Sequence, residues 1–232
     1  TEVNDLNTAR RSFGSAGTAT SAIAAANHPP AGALTELWNG TNWTEVNDMN
    51  TGRSQLAAAG ADNTAVLAMG GSTALANTEN WNGTNWTEVN DLNTGRRGLG
   101  AVGTPSAALA FTGQDPAPGY IADTELWNGT NWTEVNNMNT AREQISEAGI
   151  STSAIGFGGD ENPPPVNSAK TEEWNGTNWT ETSDLNTGRY YAGGNGTASS
   201  ALMSGGKNPG VTAVTEEWTG AGAGLTRTFT DS

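Results

Sequence analysis

The chain repeats one segment along its length. The segment at 38–53, WNGTNWTEVNDMNTGR, returns almost unchanged at three later points, which begin at Trp81, Trp127 and Trp174. A fifth copy is divided between the two ends, because residues 215–218 match its opening and residues 1–10 match its close. The first Trp of successive copies stands at 38, 81, 127, 174 and 218, so the period is 43 to 47 residues. Such a period is typical of a propeller blade or of a helical repeat.

Glycine content and hydrophobic spacing decide between these two architectures. Gly accounts for 31 of the 232 residues, and Asn-Gly and Gly-Gly pairs recur along the chain. No segment keeps apolar residues at helical spacing over several turns. Only 34% of the residues are apolar, but nine of them are Trp, and each buried Trp removes roughly 150–250 Å² from water. The repeat therefore predicts strands whose core depends on a few large rings.

Residues 10–49 represent the repeat. We predict four strands in it, at 11–18, 21–26, 34–38 and 42–46. The first is rich in Gly, Ala and Ser, which suits an innermost strand where several sheets converge. Asn39-Gly40 joins the third strand to the fourth and is a strong hairpin signal. A two-residue and a four-residue loop both place Trp38 and Trp43 on the same face of the sheet.

Charge and cysteine content exclude several classes of partner. The chain has 24 acidic and 10 basic residues and a formal charge of −14, which opposes binding to nucleic acid or to an anionic membrane. It has no Cys, so disulfides and thiolate metal sites are excluded. The recurring Asp48 fits turn chemistry and is Asn137 in another copy, so we predict neither a metal site nor a cofactor. The compartment stays open, with an extracellular or surface-displayed location as the interpretation we favour.

The repeat resembles the kelch repeat and the central domain of galactose-oxidase-like proteins. The double glycine of that family is matched by Gly70-Gly71, Gly158-Gly159 and Gly205-Gly206. Its Trp is matched by Trp43, Trp86, Trp132 and Trp179. The resemblance implies a β-propeller of four-stranded blades. It does not carry over the copper-oxidase chemistry, which needs Cys, Tyr and several His ligands, because the chain has no Cys and one His.

These patterns together predict an all-β fold in a single domain, 1–232. We expect a five-bladed β-propeller of four-stranded antiparallel blades, closed by an N-terminal strand that completes the last blade. Residues 1–8 are the predicted outer strand of that blade, and ring closure would leave no sheet edge there. The predicted blades span 10–49, 53–92, 96–138, 142–185 and 189–220, followed by a tail at 221–232.

The copies differ most at two places, the loop between the second and third strands and the residues after the repeated Arg. Both emerge at the same end of an up-and-down blade, so we expect one rim of variable loops there, which we call the variable rim. Binding residues are often carried by loops on a rigid scaffold, although unconstrained drift of loop sequences is an alternative. The candidate contact residues are Arg11, His28, Gln55, Arg97, Asp115, Tyr120, Glu143, Gln144, Asp160, Tyr190, Tyr191 and Lys207.

Two further candidates lie away from this rim. Glu147 is the one charged residue in the small-residue first strands and is expected in the channel, either as a cation or water ligand or as part of a solvated wall. The first Trp of each copy is expected to pack in the core, with sugar-stacking pockets between blades as the alternative. These residues are Trp38, Trp81, Trp127, Trp174 and Trp218.

No catalytic motif occurs in the sequence, so we predict a non-catalytic binding or display module. Its expected ligand is a protein or a glycan, and we expect a monomer. One alternative is a lectin with repeated carbohydrate sites between blades. Another is a symmetrised or recently duplicated scaffold without a small-molecule ligand. An enzyme would need acids from different blades to meet at the channel mouth, such as Asp115, Glu143, Glu147 and Asp160.

Overall fold

The computed structural model describes residues 2–27, 32–117, 119–161 and 166–220. Every regular element in these ranges is a β-strand, and no helix there is long and apolar enough to cross a membrane. The strands form six antiparallel sheets, four of them with four strands and two with three. The prediction of an all-β repeat fold is confirmed.

The first three sheets share one up-and-down order of strands. The first contains β1 (Gly14–Thr18), β2 (Ser21–Asn27), β3 (Gly32–Trp38) and β4 (Trp43–Val46). The second contains β5 (Ala57–Asp62), β6 (Ala65–Met69), β7 (Thr78–Trp81) and β8 (Trp86–Val89). The third contains β9 (Gly100–Thr104), β10 (Ala107–Phe111), β11 (Thr124–Trp127) and β12 (Trp132–Val135).

The remaining repeats depart from this order. The fourth contains β13 (Arg142–Glu143), β14 (Ser146–Ile150), β15 (Ser153–Phe157), β16 (Asp160–Glu161), β17 (Val166–Asn167), β18 (Thr171–Trp174) and β19 (Trp179–Glu181). Strands β14, β15, β18 and β19 form its main sheet, while β13, β16 and β17 form a small sheet that the sequence did not predict. The last sheet has three strands, β20 (Gly193–Thr197), β21 (Ser200–Ser204) and β22 (Thr215–Trp218).

The first strands of the five main sheets lie side by side. β1 packs on β5, β5 on β9, β9 on β14 and β14 on β20, whereas no comparable packing joins β20 to β1 in the described ranges. Small residues permit this approach, since a Cβ added at Gly194 would lie 2.4 Å from the backbone oxygen of Glu147. The five strands together line one cavity of about 190 Å³.

The hairpin between the third and fourth strands has a four-residue loop. Trp38 faces Trp43 directly in the β3–β4 register, and their ring centroids lie 5.4 Å apart. The Asn39 side-chain oxygen accepts hydrogen bonds from the backbone N–H groups of Thr41 and Asn42, both at 2.9 Å. The Asn of this loop therefore closes the turn, and of the two loop lengths the longer one is correct.

Tryptophan pairs also join each sheet to the one before it. Trp81 and Trp86 pack in one buried cluster with Ile23 of the first sheet. The Trp86 indole N–H donates to the Thr35 hydroxyl of that sheet at 3.0 Å. Equivalent bonds run from Trp132 and Trp179 to hydroxyls of the preceding sheets, at Thr78 and Thr124. Four such clusters fill the spaces between successive sheets.

A buried carboxylate holds the segment that links one sheet to the next. Glu172 is fully buried and accepts hydrogen bonds from the Arg142 guanidinium at 3.0 Å and from the Asn139 backbone N–H at 2.7 Å. The Asn139 side chain and the Thr140 N–H also donate to it. In each repeat the Arg and the acid that it pairs with belong to the same repeat. The five pairs are Arg10–Glu36, Arg53–Glu79, Arg96–Glu125, Arg142–Glu172 and Arg189–Glu216.

The N-terminal segment differs from its prediction. Residues 2–8 form no strand, and β22 pairs only with β21 among the described residues. Asn4 instead donates to the first sheet, to the Thr41 carbonyl at 2.9 Å, just as Asn47 donates to the Thr84 carbonyl of the second sheet at 3.0 Å. The segment thus makes the contacts of a linker without the strand that precedes the linker in other repeats.

The buried Arg–Glu pair predicts a large stability effect for a single isosteric change. Glu172→Gln removes the charge that compensates the buried Arg142 guanidinium, and breaking a buried pair costs about 3–5 kcal/mol. Urea unfolding should show this loss of free energy. The matched control is Glu181→Gln, since Glu181 is the exposed cross-strand partner of Glu172. Equal stability of the two variants would contradict the role assigned to the pair.

Candidate functional site

In the second to fifth repeats the two variable segments pair with each other at one end of the sheets, whereas the loop of the first repeat lies mostly outside the described residues. Glu143 faces Asp160 between β13 and β16. Arg97 and Gln114 form an equivalent bridge in the third repeat. In the fifth repeat the corresponding bridge joins Tyr190 to Lys207, and in the second the Ser72 N–H donates to the Ser54 carbonyl. The structure therefore brings both sets of the variable rim together, as backbone partners.

The next residue in each repeat has a left-handed backbone. The φ angles are 54° at Ser12, 56° at Gln55, 60° at Gly98, 53° at Gln144 and 56° at Tyr191. The backbone N–H groups of the last four donate to the carbonyl of the counterpart in the preceding repeat, at 2.7 Å from Gln55, 2.9 Å from Gly98, 2.7 Å from Gln144 and 3.4 Å from Tyr191. We call these five residues and their hydrogen bonds the mouth belt. All five line one cavity at this end of the sheets.

The left-handed conformation is unfavourable for residues other than Gly. It persists where the surrounding structure imposes it, and such positions cluster at functional sites. The inter-sheet hydrogen bonds of the mouth belt impose it here on four residues other than Gly. The belt therefore fixes the backbone and leaves the side chain free to differ from repeat to repeat.

Two cavities open on the mouth belt. One of about 220 Å³ is lined by all five belt residues and by the residue that follows each of them, such as Leu56 and Ile145. A larger one of about 490 Å³ is lined by Arg11, Ser12, Gln55, Tyr191 and Lys207. Among the described residues, the larger cavity has two cationic side chains and no acidic one, although the chain as a whole carries a formal charge of −14.

An aromatic cluster forms one side of the mouth. The rings of Tyr190 and Tyr191 lie 5.1 Å apart, and the Lys207 ammonium lies 5.7 Å from the centroid of the Tyr191 ring. Tyr191 is 47% exposed and interacts with the Gln55 side chain on the other side of the mouth. Partial burial, with the nearby charge of Glu143, raises the pKa of the Tyr191 hydroxyl, so Tyr191 is a neutral hydrogen-bonding aromatic at pH 7.

A second group of polar side chains lies between the third and fourth repeats, and we call it the acidic notch. It consists of Arg97, Gln114, Tyr120, Glu143 and Asp160. The Arg97 side chain donates to the Gln114 side-chain oxygen through two nitrogens, with Nε at 2.8 Å. Burial, together with the charges of Glu143 and Asp160, raises the pKa of Tyr120 to about 12. Burial also raises the pKa of Glu143 and that of Asp160.

Other residues of the variable rim take varied places. The Gln144 side chain donates to Glu143 Oε1 at 3.4 Å. Asp115 follows Gln114 in its loop and has a buried Oδ1 without a hydrogen-bond partner. His28 lies outside the described residues. Of the four acids considered for an enzyme, only Glu143 and Asp160 are brought side by side.

The sequence analysis missed three residues of the site. Ser12 and Gly98 belong to the mouth belt, and Gln114 holds the Arg97 guanidinium. Gly98 carried a readable signal, because Gly is favoured where φ is positive. Ser12 carried none, since nothing in its side chain announces a left-handed backbone.

Glu147 lies on the wall of the channel, in β14. It lines the cavity formed by the five first strands, together with residues such as Ser15, Ala58 and Asn195. Burial raises the pKa of Glu147 to about 8, and a backbone hydrogen bond from Ala101 opposes this shift. The carboxyl group is therefore largely protonated at neutral pH and suits a neutral hydrogen bond better than a cation. No group of three or more potential ligands for a metal ion occurs in the described parts of the chain.

The first Trp of each copy is buried, and its indole N–H is used within the fold. Trp81 is fully buried and donates to the Asn63 carbonyl at 2.9 Å. The other four are at most 8% exposed and donate to equivalent carbonyls. Ligand stacking on these rings would require the sheets to separate, so this geometry favours packing over the lectin alternative.

Comparison with known proteins adds no assignment. No protein-family model matches the chain, and no curated protein sequence matches it at a significant level.

Glu147 predicts a pH-dependent stability. Its pKa of about 8 in the folded state exceeds the ordinary value of 4.5, so the folded state binds this proton more tightly and stability falls as pH rises between these values. Glu147→Gln should therefore be more stable than the wild type above about pH 8, and the difference should shrink towards about pH 4. Urea unfolding at several pH values measures it, with the exposed Glu45→Gln as control. A difference independent of pH would contradict the assignment.

Proposed function

We propose that the protein is a non-catalytic binding or display module that recognises a protein or glycan through the variable rim. The observation that carries this proposal is the mouth belt, where the backbone is the same in every repeat and the side chains differ. The hairpins at the opposite end of the sheets support the proposal by contrast. There the hairpins repeat the same residues, as in Asn39–Asn42 and Asn82–Asn85, with the same turn hydrogen bonds.

The chemistry of the rim suits recognition. Tyr191 is exposed, aromatic and neutral, and Arg11 and Lys207 lie beside it around the larger cavity. Tyr and Arg are enriched in recognition sites, where they supply contact area and directed hydrogen bonds. Concave sites lined by a few convergent polar groups are also the usual form of a ligand site. The rim thus offers both features at one place.

Tyr191→Ala tests this proposal. Screening the wild type against arrays of glycans and purified proteins supplies the ligand, and calorimetry then measures the affinity of each variant. We expect Tyr191→Ala to weaken binding by about tenfold, as loss of a central aromatic contact typically does. Thr84→Ala is the control, because Thr84 lies in a hairpin at the opposite end. A ligand that is lost with Thr84→Ala and kept with Tyr191→Ala would contradict the proposal.

We also propose that the five main sheets are the blades of a closed, kelch-like propeller, and that the N-terminal segment at 1–8, whose described residues form no strand, is the segment that closes the last blade. The first and last sheets each have a side-chain group that lacks the hydrogen-bond partner its counterparts have, and this supports closure. In the described part of the chain, the Trp43 indole N–H has no acceptor and the Thr215 hydroxyl has no donor, although their counterparts Trp86 and Thr35 are bonded to each other. Likewise, among the described residues, the Ser12 N–H donates to no other belt residue and the Tyr191 carbonyl accepts from none.

A disulfide tests the closure, since the chain has no Cys of its own. Val46 faces Thr35 in the first sheet, so Val3 and Thr215 should face each other in the closed ring. Directly opposed strand residues suit disulfide geometry. We expect the double variant Val3→Cys, Thr215→Cys to oxidise to an intramolecular disulfide and to melt at a higher temperature. Val3→Cys with Val211→Cys is the control pair. Failure of the first pair to oxidise would contradict closure.

A further inference from the structure

The acidic notch contains two buried carboxylates with unused acceptors. Glu143 and Asp160 are direct cross-strand partners, so their side chains lie on the same face of the small sheet. Each is only 8% exposed. Glu143 Oε2 and Asp160 Oδ1 are buried and have no hydrogen-bond partner. Buried carboxylate oxygens without partners are costly, so each such atom calls for an explanation.

The neighbouring cation does not neutralise them. None of the ion pairs among the described residues includes Glu143 or Asp160. Arg97 attracts Glu143 at longer range, but its guanidinium is bound to the Gln114 side chain. Burial accordingly raises the pKa of both acids. A cation placed between them would restore the charged form of both and supply the missing donors.

Gly98 gives access to this position from the mouth. A Cβ built on Gly98 would lie 3.2 Å from Glu143 Oε2 and 3.4 Å from the Gln144 side chain. Gly98 is the one belt residue without a side chain, and it also lines the cavity of about 220 Å³ at the mouth. The space that a side chain would take at this position is therefore narrow and lies directly beside the unused carboxylate oxygen.

The arrangement of acceptors indicates the chemical class of the ligand. A guanidinium binds best to both oxygens of one carboxylate, but Glu143 Oε1 already accepts from Gln144. One oxygen of Glu143 and one of Asp160 remain as separate acceptors, while the Tyr120 hydroxyl already hydrogen-bonds to Glu143. An ammonium group has three N–H donors that point in different directions, so it can donate to two separate acceptors at once. We propose that the acidic notch binds a primary ammonium group, carried by a lysine side chain of a partner protein.

A lysine side chain is long and unbranched, so it suits a narrow space beside a polar group. Its methylene groups can lie along apolar surface while the ammonium reaches a polar site. The mouth cavity beside Gly98 is lined by Leu99 and Ile145, which offer such a surface. This inference rests on the proposed function of the variable rim, and it names protein as the ligand class and lysine as the anchoring residue.

The experiment is an NMR titration of the full chain, labelled with ¹³C at the Asp and Glu carboxyl carbons, with Nα-acetyl-lysine amide as the probe. We expect saturable shifts at Glu143 and Asp160, whereas the exposed Glu45 should show only the small linear drift of a surface carboxylate. Glu143→Gln should weaken the probe's affinity by about tenfold, the loss expected for one charge-assisted contact. The Nε-acetylated probe, which has no ammonium, should produce no saturable shift.

Gly98→Gln is the second variant. It places at position 98 the residue found at the equivalent positions Gln55 and Gln144, whose backbones have the same left-handed conformation. Its Cβ would crowd Glu143 Oε2 at 3.2 Å, so we expect a lower melting temperature than the wild type and, in the folded variant, no probe binding. Equal shifts with the acetylated probe, or full binding by Gly98→Gln, would overturn the ammonium site. An array ligand that binds wild type and Glu143→Gln equally would also overturn it, while leaving the proposed function of the rim intact.

Discussion

The buried glutamate of each repeat is the interaction on which the rest of the structure depends. Glu172 and its counterparts collect a guanidinium, two backbone N–H groups and an Asn side chain from the segment that links one sheet to the next. Without it the Asn139 and Thr140 backbone N–H groups would lose their acceptor and the buried Arg142 charge would lose its counter-charge, which is strongly destabilising. These hydrogen bonds hold the linker in place up to the repeated Arg, and the variable residues come directly after that Arg in the sequence. Their positions are thus set by an interaction common to all repeats.

This arrangement separates the frame of the molecule from the variable rim, which we propose as its recognition surface. Tryptophan clusters and Arg–Glu pairs use the residues that recur, and they place the mouth belt at one end. The side chains that differ then surround a shared opening, with cations and tyrosines on one side and the acidic notch between the third and fourth repeats. A ligand that meets this surface encounters one defined pattern of charge instead of five equivalent sites, which is why a single asymmetric binding site accords with the geometry.

Much of the fold could be predicted because it depends on local patterns. Alternation placed Trp38 and Trp43 on one face, and the density of Gly and Ala identified the inner strands. Alternation places Glu172 on the same face as Trp174, but its residue type does not reveal that it pairs with Arg142, which lies 30 residues earlier in the chain. The left-handed backbone of Gln55 is set by hydrogen bonds to distant repeats, so its own residue type gives no sign of it. The acidic notch depends on a two-residue strand pairing within a variable loop, which no periodicity reveals.

The most direct test of the account is hydrogen exchange at the Ser12 amide. Four of the belt N–H groups already donate to the preceding repeat, and a closed ring gives the fifth, on Ser12, the Tyr191 carbonyl as its acceptor. The account predicts that the Ser12 amide exchanges as slowly as the Gln55 amide, because both belong to one continuous belt. Exchange at the rate of an exposed amide, with Gln55 still protected, would contradict a closed ring and the single mouth that the proposed function requires.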